Sequence, residues 1–382
     1  MKARFLICAA LLLPALSHEA CAQLKLFPSN GRQEVLDTNA VFTAPAAVRV
    51  QLRLPLDGPD ERKAGYMNFY EGFLMGVRQA AVEGIKVELD VAGASEDMPG
   101  ESDPYHLVVD ASPASQLIQD LQNRREGEWT VVPLEQDIEN VADSSLVALV
   151  PGTWQDRLSE LARWIREEWQ FWDKLFILGP GNDGKCEFLK TELKKEGIPF
   201  ETPGASYLSH DYSTIKGTAR FVLVSEDPGF IASAVNFLSG PIRKKKAETA
   251  LYCTSRVRSY AKRFEEDALG NANTRMVSSY YVDYSSAAVD EFILSFRRYY
   301  GAEPNQFAFH GYDTALYFIR LAAAYGEKWP CGIEKDGAPA HGLLTDFRFL
   351  REESCKGLVN TAFRRISFDP DLNETMSSTL PE

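Results

Sequence analysis

The stretch that decides the fold runs from residue 278 to residue 326, SSYYVDYSSAAVDEFILSFRRYYGAEPNQFAFHGYDTALYFIRLAAAYG. A β-rich run over 278–284 is followed by two helical patterns separated by residues 301–305. In the first, Val289, Phe292, Ile293, Phe296 and Tyr299 recur at three- and four-residue steps, with Asp290, Glu291 and Arg297 on other faces. Gly301 and Pro304 stop that helix. In the second, Ala315, Leu316, Phe318, Ile319 and the run 321–323 leave little polar surface beyond Arg320. A helix apolar on nearly every side is packed inside a domain and not laid on its outside.

The pattern upstream repeats a simple unit. Residues 47–54 alternate as a strand, 68–84 form an amphipathic helix with Phe69, Phe73, Leu74, Val77 and Ala81 on one face and Gly84 at its end, and 85–91 return as a strand. Strand–helix–strand is the building block of a parallel sheet. Further strands are expected at 105–109, 129–132, 146–150, 174–178, 220–224 and 249–253, with helices at 114–124, 155–172, 186–195 and 229–238. The reading is α/β, with one sheet before Pro151 and another after it.

Several residues give this pattern a resemblance. A strand, a helix carrying Phe296 and Tyr300, a loop with Pro304, then Gly311-Tyr312-Asp313 and an apolar helix closed by Gly326 resembles the late part of type I periplasmic binding proteins, receptors for leucine and similar solutes. Tyr70-Glu71-Gly72 at the head of a helix is similar to that family's opening. The resemblance covers roughly residues 46–368. It implies two Rossmann-like lobes with parallel sheets and an interleaved chain, in which the apolar helix rejoins the first lobe beside its first helix. The expected division is a signal peptide at 1–22, a linker at 23–45, lobe 1 from 46–150 plus 278–330, lobe 2 from 151–277 plus 331–368, and a disordered tail at 369–382. Residues 343–350 and 362–368 are expected to pair as the closing hairpin of envelope relatives.

Composition sets the outer bounds. The chain has 382 residues, 45% hydrophobic and 25% charged, an ordinary globular balance with room for two domains. A net charge of −13 argues against nucleic acid or an anionic membrane as partner, and the basic run 243–246 reads as a solvated turn. Lys2 and Arg4 precede the short apolar run 5–13, and Ala20-Cys21-Ala22 offers a small-x-small cleavage site, the pattern of a secretory signal. Cleavage after Ala22 is favoured over lipidation at Cys21, because His18 and Glu19 stand where a lipoprotein site takes small or aliphatic residues. The protein is therefore expected to be exported or periplasmic, with no transmembrane segment in the mature chain. Four cysteines remain after cleavage, and an oxidising compartment permits disulfides. Of three possible pairings, Cys331 with Cys355 is preferred because both sit beside glycine in turn-rich sequence, whereas Cys253 lies in an apolar strand.

Motifs that would carry catalysis are weak. Gly179 to Lys185 fits G-x-x-x-x-G-K between a strand and a helix, but Cys186 stands where a P-loop needs a magnesium-binding hydroxyl, so the segment reads as a glycine-rich turn. His106, His210, His310 and His341 are scattered without metal-ligand spacing. No cofactor is expected, and the chain does not read as an enzyme. The remaining argument is positional: in open α/β sheets ligands bind beyond the carboxyl ends of strands, where helix N-termini offer free N–H groups. Those ends hold Ser112 and Ser115, Glu135, Asn182 and Asp183, Ser225, Glu226 and Asp227, and Thr254 and Ser255. Each of these residue types serves equally well as a helix cap. In the family, hydroxyl residues at the first two ends hold an amino acid's carboxylate and an acid of the second lobe pairs with its ammonium. Ser115 and Glu226 would take those roles, although no threonine-containing segment follows Pro133.

The function expected is an exported receptor whose two lobes close on a small polar ligand, an amino acid or peptide, for an ABC transporter permease or a sensor. The alternative is a non-transport envelope protein of the same fold, acting through protein–protein contacts in cell-wall metabolism.

Overall fold

The computed structural model describes residues 44–55, 60–93, 104–134, 146–179, 183–208, 212, 214–240, 248–265, 267–334, 337–350, 357–371 and 373–380. The expected signal peptide and all but the last two residues of the expected linker lie outside them. The chain forms two units: Met1–Val150, Ser285–Leu343 and Phe347–Asn360 make the first, and Pro151–Tyr284, Leu344–Asp346 and Thr361–Glu382 the second. Each contains a seven-stranded sheet flanked by helices. The architecture is α/β with mostly parallel sheets and an interleaved chain, as the alternation of strand and helix patterns implies.

In the first unit the strands are β1 (Val48–Leu54), β2 (Val87–Gly93), β3 (Leu107–Asp110), β4 (Thr130–Val132) and β5 (Val147–Leu149), joined later by β11 (Phe349–Leu350) and β12 (Leu358–Asn360). Their order is β11-β12-β5-β4-β3-β1-β2, all neighbours parallel except β11 against β12. Val50 and Leu52 of β1 and Leu107 and Val109 of β3 turn one face to helices α1 (Asp60–Val82) and α8 (Gln306–Tyr325), where Phe69, Phe73 and Phe318 complete the core. Leu117 and Leu121 of helix α2 (Ala114–Gln122) pack with Val132, Val147 and Leu149 in a smaller separate cluster.

Helix α8 is buried from Ala308 to Ala322 except at Tyr312, Leu316 and Arg320. It does return to the first unit, where it lies in backbone contact with α1: a Cβ added at Gly72 would meet the Ala308 carbonyl oxygen at 1.8 Å, and one at Gly311 the Phe69 carbonyl oxygen at 2.0 Å. Its partner in sequence, α7 (Ala287–Tyr300), ends at Gly301 with a left-handed backbone (φ 64°), which glycine adopts without strain. Asn305 then caps α8, its side chain accepting from the Phe307 N–H at 2.9 Å.

The second unit has strands β6 (Lys174–Leu178), β7 (Phe200–Glu201), β8 (Ala219–Leu223), β9 (Thr249–Thr254), β10 (Thr274–Ser278), β13 (Arg364–Phe368) and β14 (Glu374–Ser378). Their order is β14-β13-β10-β9-β8-β6-β7, parallel from β7 to β10 and antiparallel at β13 and β14. Helices α3 (Trp154–Glu168) and α4 (Gly184–Lys195) cover one face. Helices α5 (Pro228–Ser239) and α6 (Ala268–Asn271) cover the other. One further helix, α9 (Trp329–Glu334), belongs to the first unit.

Four expectations are corrected. Of the β-rich run 278–284 only Ser278 is in a strand, and β10 lies earlier, at Thr274–Ser278, because Ser278 Oγ donates to the Tyr280 carbonyl and turns the chain out of the sheet. Residues 343–350 and 362–368 do not pair: β11 pairs with β12 in the first unit, and β13 pairs with β10 and β14 in the second. Residues 331–343 and 347–360, expected in lobe 2, therefore belong to the first unit. The tail is not structureless, since β14 pairs with β13 from Arg364↔Ser378 to Phe368↔Glu374, and Asp369 caps the intervening turn by accepting from the Asp371 and Asn373 N–H groups. The expected disulfide falls outside the described residues at Cys355, and Cys331 is exposed.

Candidate functional site

In the first unit, the carboxyl ends of β1 and β3 carry an unusual density of buried polar groups. Arg53 and Asp110 stand in register on neighbouring strands, with Arg53 Nη1 3.6 Å from Asp110 Oδ2. Arg53 Nε donates to Gln51 Oε1 at 3.0 Å, and its Nη2 lies 3.7 Å from Glu128 Oε1. Burial pushes the Asp110 carboxyl up to about 6, against the lowering pull of Ser112 and Arg53. Asp110 Oδ1 accepts the Ser112 N–H at 3.0 Å, which folds the chain sharply at the strand end.

That turn fixes Ser112. Its residue is 2% exposed, and its hydroxyl lies beside the Asp110 carboxyl without making a well-formed hydrogen bond. Two residues on, α2 begins behind Pro113, which supplies no side-chain cap. A buried hydroxyl at an uncapped helix start, with its unpaired N–H groups and positive dipole end, is suited to an anionic oxygen. Ser115 lies on the first turn of the same helix and is exposed. Glu135 is outside the described residues, but the end of β4 is held in place: His310, fully buried on α8, hydrogen-bonds the Pro133 carbonyl oxygen through Nε2 at 2.6 Å. Burial lowers the His310 pKa to about 4, so the ring is neutral and Nε2 is the donor.

In the second unit the ends of β6, β8 and β9 lie side by side in the sheet, and each is followed by residues singled out in the sequence. Asp183 caps α4, Oδ1 accepting the Lys185 N–H at 3.2 Å, and Asp227 caps α5, Oδ1 accepting the Phe230 N–H at 2.5 Å. Ser225 Oγ accepts the Asp227 N–H at 3.1 Å. Thr254 and Ser255, both half-buried, stand where β9 passes into a short 3-10 helix, and Thr254 makes no capping bond. Asn182 lies outside the described residues. Because the Asp183 carboxylate already occupies the start of α4, a phosphate there would meet like charge, which removes the P-loop reading of Gly179 to Lys185.

Glu226, which the resemblance would pair with a ligand's ammonium, is paired with two cations of the chain. Its Oε1 is 2.7 Å from Lys185 Nζ and its Oε2 is 3.0 Å from Arg256 Nε. Lys185 Nζ also lies 5.7 Å from the centre of the Trp154 ring, and the Arg256 guanidinium 5.5 Å from that of Tyr260. The sequence reading missed Arg256, Trp154 and Tyr260. Arg256 directly follows the strand-end pair Thr254-Ser255, so its position was a usable signal. Lys185 was considered only as a P-loop lysine. Among the described residues no group of three or more His, Cys, Asp or Glu side chains is placed to hold a metal, and no helix is long and apolar enough to cross a membrane.

No protein-family model and no characterised protein matches the chain by sequence. Solved structures do match. A putative branched-chain amino acid ABC transporter protein from Rhodospirillum rubrum covers 87% of this chain over 100% of its own, at 15% identity and a TM-score of 0.65. An ABC transporter substrate-binding protein from Desulfitobacterium hafniense in complex with Leu covers 87% of this chain and 100% of its own, at 13% identity and 0.54. An ABC transporter solute-binding protein from Rhodopseudomonas palustris in complex with 3,4-dihydroxybenzoic acid covers 84% and 93%, at 12% identity and 0.51. The chain thus has the fold of the substrate-binding proteins of ABC transporters. This is the type I periplasmic binding protein fold that the residues around Gly311 and Gly72 resemble.

Proposed function

We propose that the chain is an exported solute-binding receptor, not an enzyme, that takes a small polar ligand at the carboxyl-terminal strand ends of its units and serves an ABC transporter permease or a sensor. The observation that carries this reading is Ser112: a buried hydroxyl with no well-formed hydrogen bond, beside the Asp110 carboxyl and set before the uncapped start of α2. Burying a hydroxyl without a hydrogen bond costs about 1–3 kcal/mol, so a site that serves only the fold would favour alanine. A ligand carboxylate satisfies the hydroxyl and the helix N–H groups together. Proteins of this fold bound to Leu and to 3,4-dihydroxybenzoic acid both carry a carboxylate on the ligand, which supports the same reading. Export rests on the charged and apolar pattern of the first 22 residues.

The test is a thermal-shift and calorimetric screen of the purified chain against organic acids, amino acids and short peptides. A binder at a hundred times its Kd should raise stability by about 2.7 kcal/mol. Ser112→Ala should weaken binding by about tenfold while leaving the unliganded protein as stable or slightly more so. A Ser112→Ala protein that is markedly less stable without ligand would make Ser112 a structural residue and remove the main support.

A further inference from the structure

The strand-end edge of the second unit carries a sharper message about which ligand is bound. Lys185, Glu226 and Arg256 come from the ends of β6, β8 and β9, and one carboxylate holds both cations. The side chains are 29%, 51% and 52% exposed, and exposed pairs of this kind contribute only about 0–1 kcal/mol to folding. The arrangement therefore does little for stability, and its consequence is electrostatic. Glu226 has both oxygens engaged, one by each cation, and the Tyr260 ring lies within cation–π distance of the Arg256 guanidinium. The other acids on this edge, Asp183 and Asp227, are each turned to the first turn of their own helix, whose dipole offsets their charge. The cluster thus sets two cations, one of them a planar guanidinium, against a single carboxylate, and this excess of positive charge matches an anionic carboxylate. An ammonium group would instead have to compete with Lys185 and Arg256 for Glu226.

Building on the receptor reading above, we propose that this edge binds a carboxylate through Arg256 and Lys185, and that the ligand is an organic acid with no ammonium beside that carboxylate. Glu226 is then the partner of the two cations, and not the acceptor of an amino acid's ammonium. The ligand's chemical class follows: dicarboxylates, which leave a second carboxylate for Ser112, and not zwitterionic amino acids.

The experiment uses full-length protein and skeleton-matched pairs that differ only in the amino group: glutarate with glutamate, succinate with aspartate, and adipate with 2-aminoadipate. Calorimetry should show at least one acid binding about tenfold or more tighter than its amino partner. Arg256→Gln should weaken that acid by about tenfold with an unchanged unliganded melting temperature, and Arg256→Lys, which keeps the charge and loses the fork, should fall between. Glu226→Gln should leave acid binding within about threefold or tighten it, since it removes a negative charge from the edge. Tighter binding of an amino acid, abolished by Glu226→Gln, would overturn the inference while leaving the receptor reading intact. Acid binding indifferent to Arg256→Gln would do the same. Binding of neither set would overturn both.

Discussion

Replacing Gly311 by alanine puts the packing of α1 against α8 to a direct test. The new methyl would sit 2.0 Å from the Phe69 carbonyl oxygen and 2.8 Å from the Phe73 nitrogen, both backbone atoms in the middle of α1. Ordinary non-bonded contact begins at about 3.5 Å, so the helices must part by about 1.5 Å or one must bend. Parting them loosens Phe69, Phe73, Phe309 and Phe318, all fully buried. Overpacking of this kind costs typically about 1–3 kcal/mol, and backbone obstacles sit at or above the top of that range. Alanine returns about 1 kcal/mol of helix propensity. The net expectation is a loss of about 2–3 kcal/mol. Gly72→Ala, with its methyl 1.8 Å from the Ala308 carbonyl oxygen, should cost as much. Because either change separates the same two helices, the double variant should lose about 1–2 kcal/mol less than the sum. Gly184→Ala is the control: no atom lies within 4 Å of its added methyl, so stability should hold or rise by about 0.5 kcal/mol. Urea unfolding followed by tryptophan fluorescence and circular dichroism reads all four proteins. A neutral Gly311→Ala, or strict additivity with Gly72→Ala, would refute the claim that these glycines are where the helices touch.

Two further outcomes follow from buried groups. Asp110 and His310 give the first unit opposed pH dependences. The Asp110 carboxyl is raised from 3.8 to about 6, so its contribution is fully present below pH 3.8 and lost as pH rises through 6. His310 is lowered from 6.5 to about 4, so its contribution is present above pH 6.5 and lost as pH falls through 4. Each is worth about 3 kcal/mol, and across this window they cancel. Wild-type stability measured by urea titration should vary little between these limits. Asp110→Asn should leave a protein that weakens in acid, and His310→Gln one that weakens towards neutrality; matching slopes in both variants would refute the assignment. Second, native alkylation with peptide mapping should label Cys331 rapidly and Cys186 and Cys253 only after unfolding, since Cys331 alone of these three is exposed. Resistance of Cys331 that reduction relieves would support the disulfide to Cys355.

Most of the fold was legible because its signals are local. Strand runs bounded by turn residues located β1, β6, β8 and β9 to within a few residues, and the apolar periphery of α8 announced its burial. The misreadings share one physical cause. In the segments after Gly326, pairing is decided by partners far away in sequence, β12 beside β5 and β13 beside β10, and adjacency in the chain wrongly favoured a hairpin. Strand β10 was missed because Arg275 interrupts its apolar run. In the fold that arginine is accommodated by Glu168 of α3, 3.0 Å away, a partner that no local pattern reveals.

The residues that carried the family resemblance turn out to serve architecture, and this limits what they can say about ligand. Gly72 and Gly311 are the points of closest helix approach, and Tyr312 packs its ring 5.0 Å from that of Phe292. Tyr300 donates to the Glu71 carbonyl at 3.1 Å, and Asp313 Oδ1 accepts the Leu343 N–H at 2.8 Å, tying α8 to the chain where it leaves the first unit. A motif made of such contacts serves the packing of the first unit and does not name what the chain binds. Ser112 was legible because its place at a strand end is set by the same alternation that sets the fold. The ion pairing of Glu226 was not, because it depends on Lys185 and Arg256, 41 residues away on one side and 30 on the other, meeting it only when β6, β8 and β9 align. Carrying an ammonium-binding role onto Glu226 by position alone assumed that an acid at a strand end is an unpaired acid. The two cations beside it make the opposite expectation the sounder one, and Arg256 the residue on which ligand choice should turn.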